Sequence, residues 1–190
     1  MAAPEPPRAP RAGMPPHIHQ LGGAVNLHVD LSTSQLDAFH RKHRTPHWAG
    51  AFASDQLPAN PTGKCLISNY DPSSKGGSHW IAMDFRGGEG KYFDSFAFSP
   101  DGADNILHDE TSFGAYMRAH SPGGVFSSNT HELQCRGDDQ CGVYASYFLL
   151  HGLPSANKPA WASLMRGACK ARDIAVQTWW DRGGAGLATF

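Results

Sequence analysis

Apolar and polar positions are patterned most clearly in the middle of the chain. Lys64-Cys65-Leu66-Ile67-Ser68-Asn69-Tyr70 reads as a strand, closed by the turn chemistry of Asp71-Pro72-Ser73-Ser74. A second strand, His79 to Phe85, runs into Arg86-Gly87-Gly88-Glu89-Gly90, and a third follows at once, from Lys91 to Phe98. Two β-prone runs around a glycine-rich turn predict a hairpin. Helical spacing then takes over. Phe113, Tyr116 and Met117 share a face within residues 105–119. Cys141, Tyr144, Ala145, Phe148 and Leu149 share one within 139–151, where Asp138 and Asp139 signal the start and Gly152 with Pro154 the stop. Residues 160–176 predict a further helix, and Ser34 to His40 a short one opened by a serine cap. Residues 47–61 read as a loop with one apolar knot, Trp48 to Phe52. The expected class is α+β, a short and mainly antiparallel sheet packed against helices. Residues 1–20 read as a flexible Pro-rich arm, and residues 21–190 as a single domain.

Composition narrows the function. With 40% hydrophobic and 17% charged residues in 190, the chain is neither a disordered acidic tail nor a coiled coil. Sixteen Lys+Arg stand against 17 Asp+Glu, so there is no basic excess to bind nucleic acid by bulk charge. A local patch remains in Arg41-Lys42-His43-Arg44. No apolar run reaches the roughly 20 residues of a membrane span. The first 16 residues carry no apolar signal core, so the expected setting is intracellular and reducing rather than secreted. Four cysteines with no C-x-x-C pair argue against a zinc site, and each is taken as a free thiol: Cys65 and Cys169 in the core, Cys135 partly buried. His17, His19, His28 and His40 are spaced irregularly among polar residues and read as solvated side chains. No metal ligands are assigned.

Cys141 opens the 139–151 helix, where unpaired amide protons favour an anion and a thiol can become a nucleophile. Asp138 and Asp139 oppose this if they face the sulfur. The plain alternative is a small apolar residue in a core helix. A nucleophilic thiol needs a base, and the hairpin points to one. His79 and Asp94 are an odd number of positions apart, so in an antiparallel hairpin with an even loop their side chains share a face. Their Cβ atoms would be about 4.5–5.5 Å apart if paired directly, or about 7–8 Å one diagonal step away. A carboxylate so placed orients an imidazole. Gln134, in Leu133-Gln134-Cys135-Arg136-Gly137-Asp138-Asp139-Gln140-Cys141, is a candidate oxyanion donor beside a backbone amide; the alternative is a surface glutamine.

The chain order His, acid, Gln, Cys resembles that of the adenovirus-type maturation cysteine proteases and their relatives, the deSUMOylating and deneddylating proteases. Gly77-Ser78-His79-Trp80-Ile81-Ala82 looks like that family's Gly-x-His-Trp strand, and Tyr92-Phe93-Asp94-Ser95-Phe96 like the strand bearing its acid. Gln134 through Cys141-Gly142-Val143-Tyr144 resembles its Gln-x6-Cys-Gly segment. Phe52-Ala53-Ser54-Asp55-Gln56-Leu57-Pro58 resembles a stretch found before the His strand in such proteases of large DNA viruses and virus-like transposons. The likeness spans roughly residues 50–150.

The resemblance implies an adenain-like fold and a thiol protease whose nucleophile is Cys141, with His79 as base and then acid. It further implies that Asp94 orients His79, that Gln134 builds the oxyanion hole and that Trp80 walls a narrow substrate channel. Implied partners are viral structural precursors with Gly-rich cleavage sites, cut during virion maturation by a monomer inside the virion or the host cell. Peptide or DNA activators follow by resemblance only; the near-neutral charge gives DNA no support, and no cofactor is assigned. The acid is Asp where human adenovirus proteases have Glu, which shortens the reach to His79. The competing expectations are an isopeptidase for a ubiquitin-like modifier and a catalytically silent virion protein of the same fold.

Overall fold

The sheet has its strands in chain order, and only its two inner pairings are antiparallel. The computed structural model describes residues 30–102 and 112–184. The expectations for the N-terminal arm, for His17, His19 and His28, and for residues 105–111 lie outside the described residues. The strands are β1 (Trp48–Phe52), β2 (Cys65–Asn69), β3 (Trp80–Asp84), β4 (Gly90–Phe93) and β5 (Phe126–Ser128), in the order β1-β2-β3-β4-β5. β2–β3 and β3–β4 are antiparallel, whereas β1–β2 and β4–β5 are parallel. The expected mainly antiparallel sheet is therefore corrected to a mixed one. Both parallel edges come from segments with little strand signature. Residues 48–52 hold three small residues and a register shift between Trp48 and Gly50, and β5 is only three half-buried residues. The predicted loop at 47–61 is thus partly an edge strand.

The helices are α1 (Thr33–Lys42), α2 (Phe113–His120), α3 (Cys141–His151), α4 (Pro159–Arg166) and α5 (Cys169–Asp181). α1 is capped by Ser32 in a reciprocal box with Gln35. The helix expected over 160–176 is broken in two, because Gly167 and Ala168 are extended, with ψ near 155 and 152. Arg172 holds the Gly167 carbonyl at 2.7 Å across that break.

Period-two alternation sorts the strand residues onto two cores. Ile67, Ala82 and Phe93, aligned across the inner strands, face the helices and meet Val143, Phe148 and Trp161. Leu66, Met83 and Tyr92 face the other way and meet Phe113 and Met117 of α2. α3 is buried from Cys141 through Leu149. Trp179 is buried against Tyr147, and Trp180 stacks on Phe39 at 4.0 Å.

Three further expectations are corrected. Cys135 and Cys169 are not free thiols but form a disulfide, and Cys169 is exposed rather than in the core. The break before α5 presents its first residue to the loop preceding α3, where Lys170 pairs with Asp138 and the Cys135 amide donates to Asp173. His40 is not solvated. It is fully buried between Thr45 Oγ1 at 2.8 Å and Ser146 Oγ at 3.1 Å, and it stacks on Trp48. Among the described residues no helix is long and apolar enough to cross a membrane.

Candidate active site

Strand register assembles the site. Asn69 pairs with Trp80, so the next residues outward, Tyr70 and His79, face each other, and the Tyr70 amide donates to the His79 carbonyl at 2.9 Å. Across the hairpin Ala82 pairs with Phe93, which sets Asp94 opposite Ile81 and one diagonal step from His79. The turn that follows Asp94 brings the Phe96 ring onto His79. Tyr70, His79 and Asp94 therefore share one face, and the side chains meet there. His79 Nε2–H donates to Asp94 Oδ1 at 3.0 Å, the edge of Tyr70 lies against the imidazole with centroids at 4.9 Å, and Phe96 stacks on it at 5.0 Å.

Asp94 is fully buried and held from several sides. Its Oδ1 also accepts the Phe96 amide at 2.7 Å, and its Oδ2 accepts the Tyr70 hydroxyl. Asn129, just after β5, clamps its backbone by giving Nδ2–H to the Asp94 carbonyl at 2.6 Å and taking the Asp94 amide at 2.9 Å. These bonds end β4 at Phe93, short of the expected Phe98, because a side chain that accepts an amide two residues on turns the chain out of the sheet. Ala97, at φ 55, completes the turn.

Cys141 is the first residue of α3. Its N-cap is Gln140, which makes no side-chain capping bond, and the positive end of the helix dipole lies at this turn. Asp138 does not oppose this, since both its oxygens are taken by Lys170 at 2.7 and 2.8 Å. Asp139 lines the same cavity as Cys141. Cys141 is the other group that acts on the His79 ring. Nε2 is engaged by Asp94, so Nδ1 is the nitrogen left for the sulfur. Burial pushes the imidazole pKa down, but the bond to Asp94 and the pull of both partners outweigh it and raise it to about 9. His79 thus holds a proton at neutral pH, and a protonated imidazole beside a thiol is the arrangement that supports a thiolate nucleophile.

Cys141 opens into a cavity of about 380 Å³ with Trp80, Leu31 and Gly77 among its walls. Trp80 is fixed there by its indole N–H to the Leu31 carbonyl at 2.9 Å. Gly142 makes the close fit possible. A methyl group on it would sit 3.2 Å from both Trp80 and Leu31. Gln134 is buried close to its expected neighbours but does not line the cavity. Its Oε1 accepts the Ser95 hydroxyl at 2.7 Å, and its Nε2 donates to the Asp138 carbonyl. An amide nitrogen carries two protons, so one Nε2 proton remains beyond the bond to Asp138.

The structure thus brings His79, Asp94 and Cys141 together, puts Trp80 on the cavity wall, and keeps Gln134 bonded to the loop that leads into α3. Tyr70, Ser95, Phe96 and Asn129 escaped the sequence reading. Tyr70 had a usable signal, because any β2–β3 register that aligns the two strands sets it against His79. Asn129 had none. One group of metal-type donors occurs among the described residues, Cys135, Asp138 and Asp173, but its sulfur is spent on Cys169 and its Asp138 on Lys170. Comparison with protein-family models and with curated proteins finds no match to this chain.

Proposed function

We propose that this protein is a cysteine endopeptidase of the adenovirus maturation-protease type, which processes viral or virus-like structural precursors by acyl transfer to Cys141. The observation that carries the reading is the placement of His79 between Asp94, bonded to it at 3.0 Å, and Cys141, which starts a helix on a cavity wall.

In the proposed reaction the Cys141 sulfur attacks the scissile carbonyl carbon, with its proton held on His79. The oxyanion takes the Cys141 amide, and Gln134, which does not line the cavity, is assigned as the second donor on the resemblance alone. The C–N bond then breaks as His79 protonates the leaving amine, which leaves a thioester. Water, deprotonated by His79, attacks the thioester and releases the new carboxylate and the thiol. Asp94 orients the imidazole and balances its charge through both steps. Trp80 walls the channel, and close approach of a small-residue backbone positions the carbonyl near the sulfur.

The test is site-resolved alkylation near pH 6, followed by peptide hydrolysis. At that pH an ordinary thiol is almost wholly protonated. Cys141 is expected to label much faster than Cys65 and to lose the advantage in His79→Ala. Capsid-precursor peptides are expected to be cut, and Cys141→Ala to abolish cutting. Equal labelling of both thiols overturns the reading. Cleavage confined to reporters bearing the C-terminus of a ubiquitin-like modifier replaces it with an isopeptidase.

A further inference from the structure

We propose that Tyr70 is a positioning residue for the His79–Cys141 pair, acting through Asp94 by holding the carboxylate oxygen that His79 does not use. The inference rests on the nucleophile–base reading above and adds a member to it.

Tyr70 sits where the sheet register puts it, directly across from His79. Its backbone amide fixes the His79 carbonyl, its ring edge meets the imidazole, and its hydroxyl donates to Asp94 Oδ2. One residue therefore touches the backbone of the base, the ring of the base and the carboxylate that orients the base. Asp94 is fully buried, so an Oδ2 without a donor would be a lone pair shut away from water. The groups facing this pair are few. Asp94 and Cys141 face the imidazole, with the Phe96 ring stacked on it. The Phe96 amide faces Oδ1, and the Tyr92 hydroxyl lies 3.4 Å from that of Tyr70. Burial, Tyr92 and Asp94 all raise the Tyr70 pKa above the usual phenol range, so the hydroxyl keeps its proton and stays a donor.

A donor on Oδ2 has two effects. It fixes the rotamer that aims Oδ1 at His79, and it draws charge away from Oδ1, which limits how tightly the imidazole keeps its proton. The second effect matters for a base that must also give its proton to a leaving amine. Removal of the hydroxyl should make Asp94 the stronger acceptor and His79 the more reluctant acid.

The experiment reads Cys141 alkylation by iodoacetamide from pH 5 to 10 in the full chain, which needs no substrate. Wild type, Tyr70→Phe, Asp94→Asn and the double variant are compared. The alkaline step that reports loss of the His79 proton should move up by about half a pH unit in Tyr70→Phe, roughly a threefold gain in proton affinity. Tyr70→Phe should add nothing in the Asp94→Asn background, where a merely structural role would add its usual cost. Tyr70→3-fluorotyrosine, the same shape with a stronger donor, should move the step down and keeps the test open should Tyr70→Phe fold poorly. A step that stays in place or moves the other way, or an equal Tyr70→Phe effect with Asn at position 94, overturns the proposal. A wild-type profile in which Cys141 has no advantage at low pH overturns the reading beneath it instead, and the role of Tyr70 falls with it.

Discussion

Asp94 reaches His79 from one diagonal step across the β3–β4 hairpin, and the 3.0 Å bond between Oδ1 and Nε2 closes that step with a side chain one methylene shorter than Glu. The short acid fits because the chain turns immediately after it, with Oδ1 bound to the Phe96 amide at 2.7 Å. Asp94→Asn keeps the shape but replaces one acceptor oxygen by a donor nitrogen. Hydrolysis by the proposed peptidase should fall by roughly 10²–10⁴-fold, with little change in melting temperature. A loss below tenfold would remove Asp94 from the mechanism.

The raised His79 pKa fixes the pH dependence. A base raised from 6.5 to about 9 keeps its partner-held proton fully below 6.5 and loses it as pH climbs through 9. Peptidase activity should hold through neutral pH and decline on an alkaline limb near 9. Asp94→Asn removes a raising partner, so the limb should move toward lower pH. Rates of a single fluorogenic peptide across pH 5–10 check both statements.

Gly142 is fixed by space. Its site leaves 3.2 Å to Trp80 and to Leu31, so Gly142→Ala must push one of the two cavity walls aside. Trp80 is tied to the Leu31 carbonyl, so the two walls should move together. The expected result is a kcat/KM lowered about tenfold or more while alkylation of Cys141 by a small reagent persists. Equal loss in both assays would mean that the helix start itself was damaged.

The central hairpin and the helix bearing Cys141 were legible because each obeys a local rule: period two around a glycine-rich turn, or apolar recurrence between start and stop residues. The shared face of His79 and Asp94 followed from the parity of their positions. The elements that were missed depend on partners far away in sequence. β1 and β5 are strands only because β2 and β4 offer them edges, and Asn129 matters only because β5 carries it to Asp94. Gly167 hid the break between α4 and α5 inside an acceptable helical pattern, and with it the approach of Cys169 to Cys135. Gln134 was singled out only by the resemblance of its segment to Gln-x6-Cys-Gly. Its bonds to Ser95 and the Asp138 carbonyl could not be read from that spacing.

Buried His40 predicts acid sensitivity where α1 meets α3, through its contact with Ser146. Burial first, and then the charges of His43 and Arg86, lower its pKa from 6.5 to about 3. The unfolded chain therefore binds a proton that the folded chain refuses between these values, and stability falls as pH drops from 6.5 toward 3. The effect is on the order of 5 kcal/mol over the whole window. Denaturant midpoints should fall steadily from pH 7 to 4, and the His40 ring signals in NMR should still report a neutral imidazole at pH 4. A His40 that titrates near 6 would contradict the buried contacts to Thr45 and Ser146.

The disulfide supplies the last prediction. Cys135 and Cys169 are 34 residues apart, and the loop they close contains all of α3 and α4. Constraint of a loop of that length in the unfolded chain stabilises the fold by about 2–4 kcal/mol. The same region is also held without it, by Lys170 on Asp138, by the Cys135 amide on Asp173 and by Arg172 on the Leu133 carbonyl at 2.8 Å. Loss of the bond should therefore lower stability and leave the folded geometry around Gln134 in place. Cys169→Ser should reduce the melting temperature by several degrees yet leave the alkylation rate of Cys141 at pH 6 within about twofold. A fall in that rate without a fall in stability would show that the bond holds the loop before Cys141 rather than the fold. The two measurements, made on one variant, separate those roles.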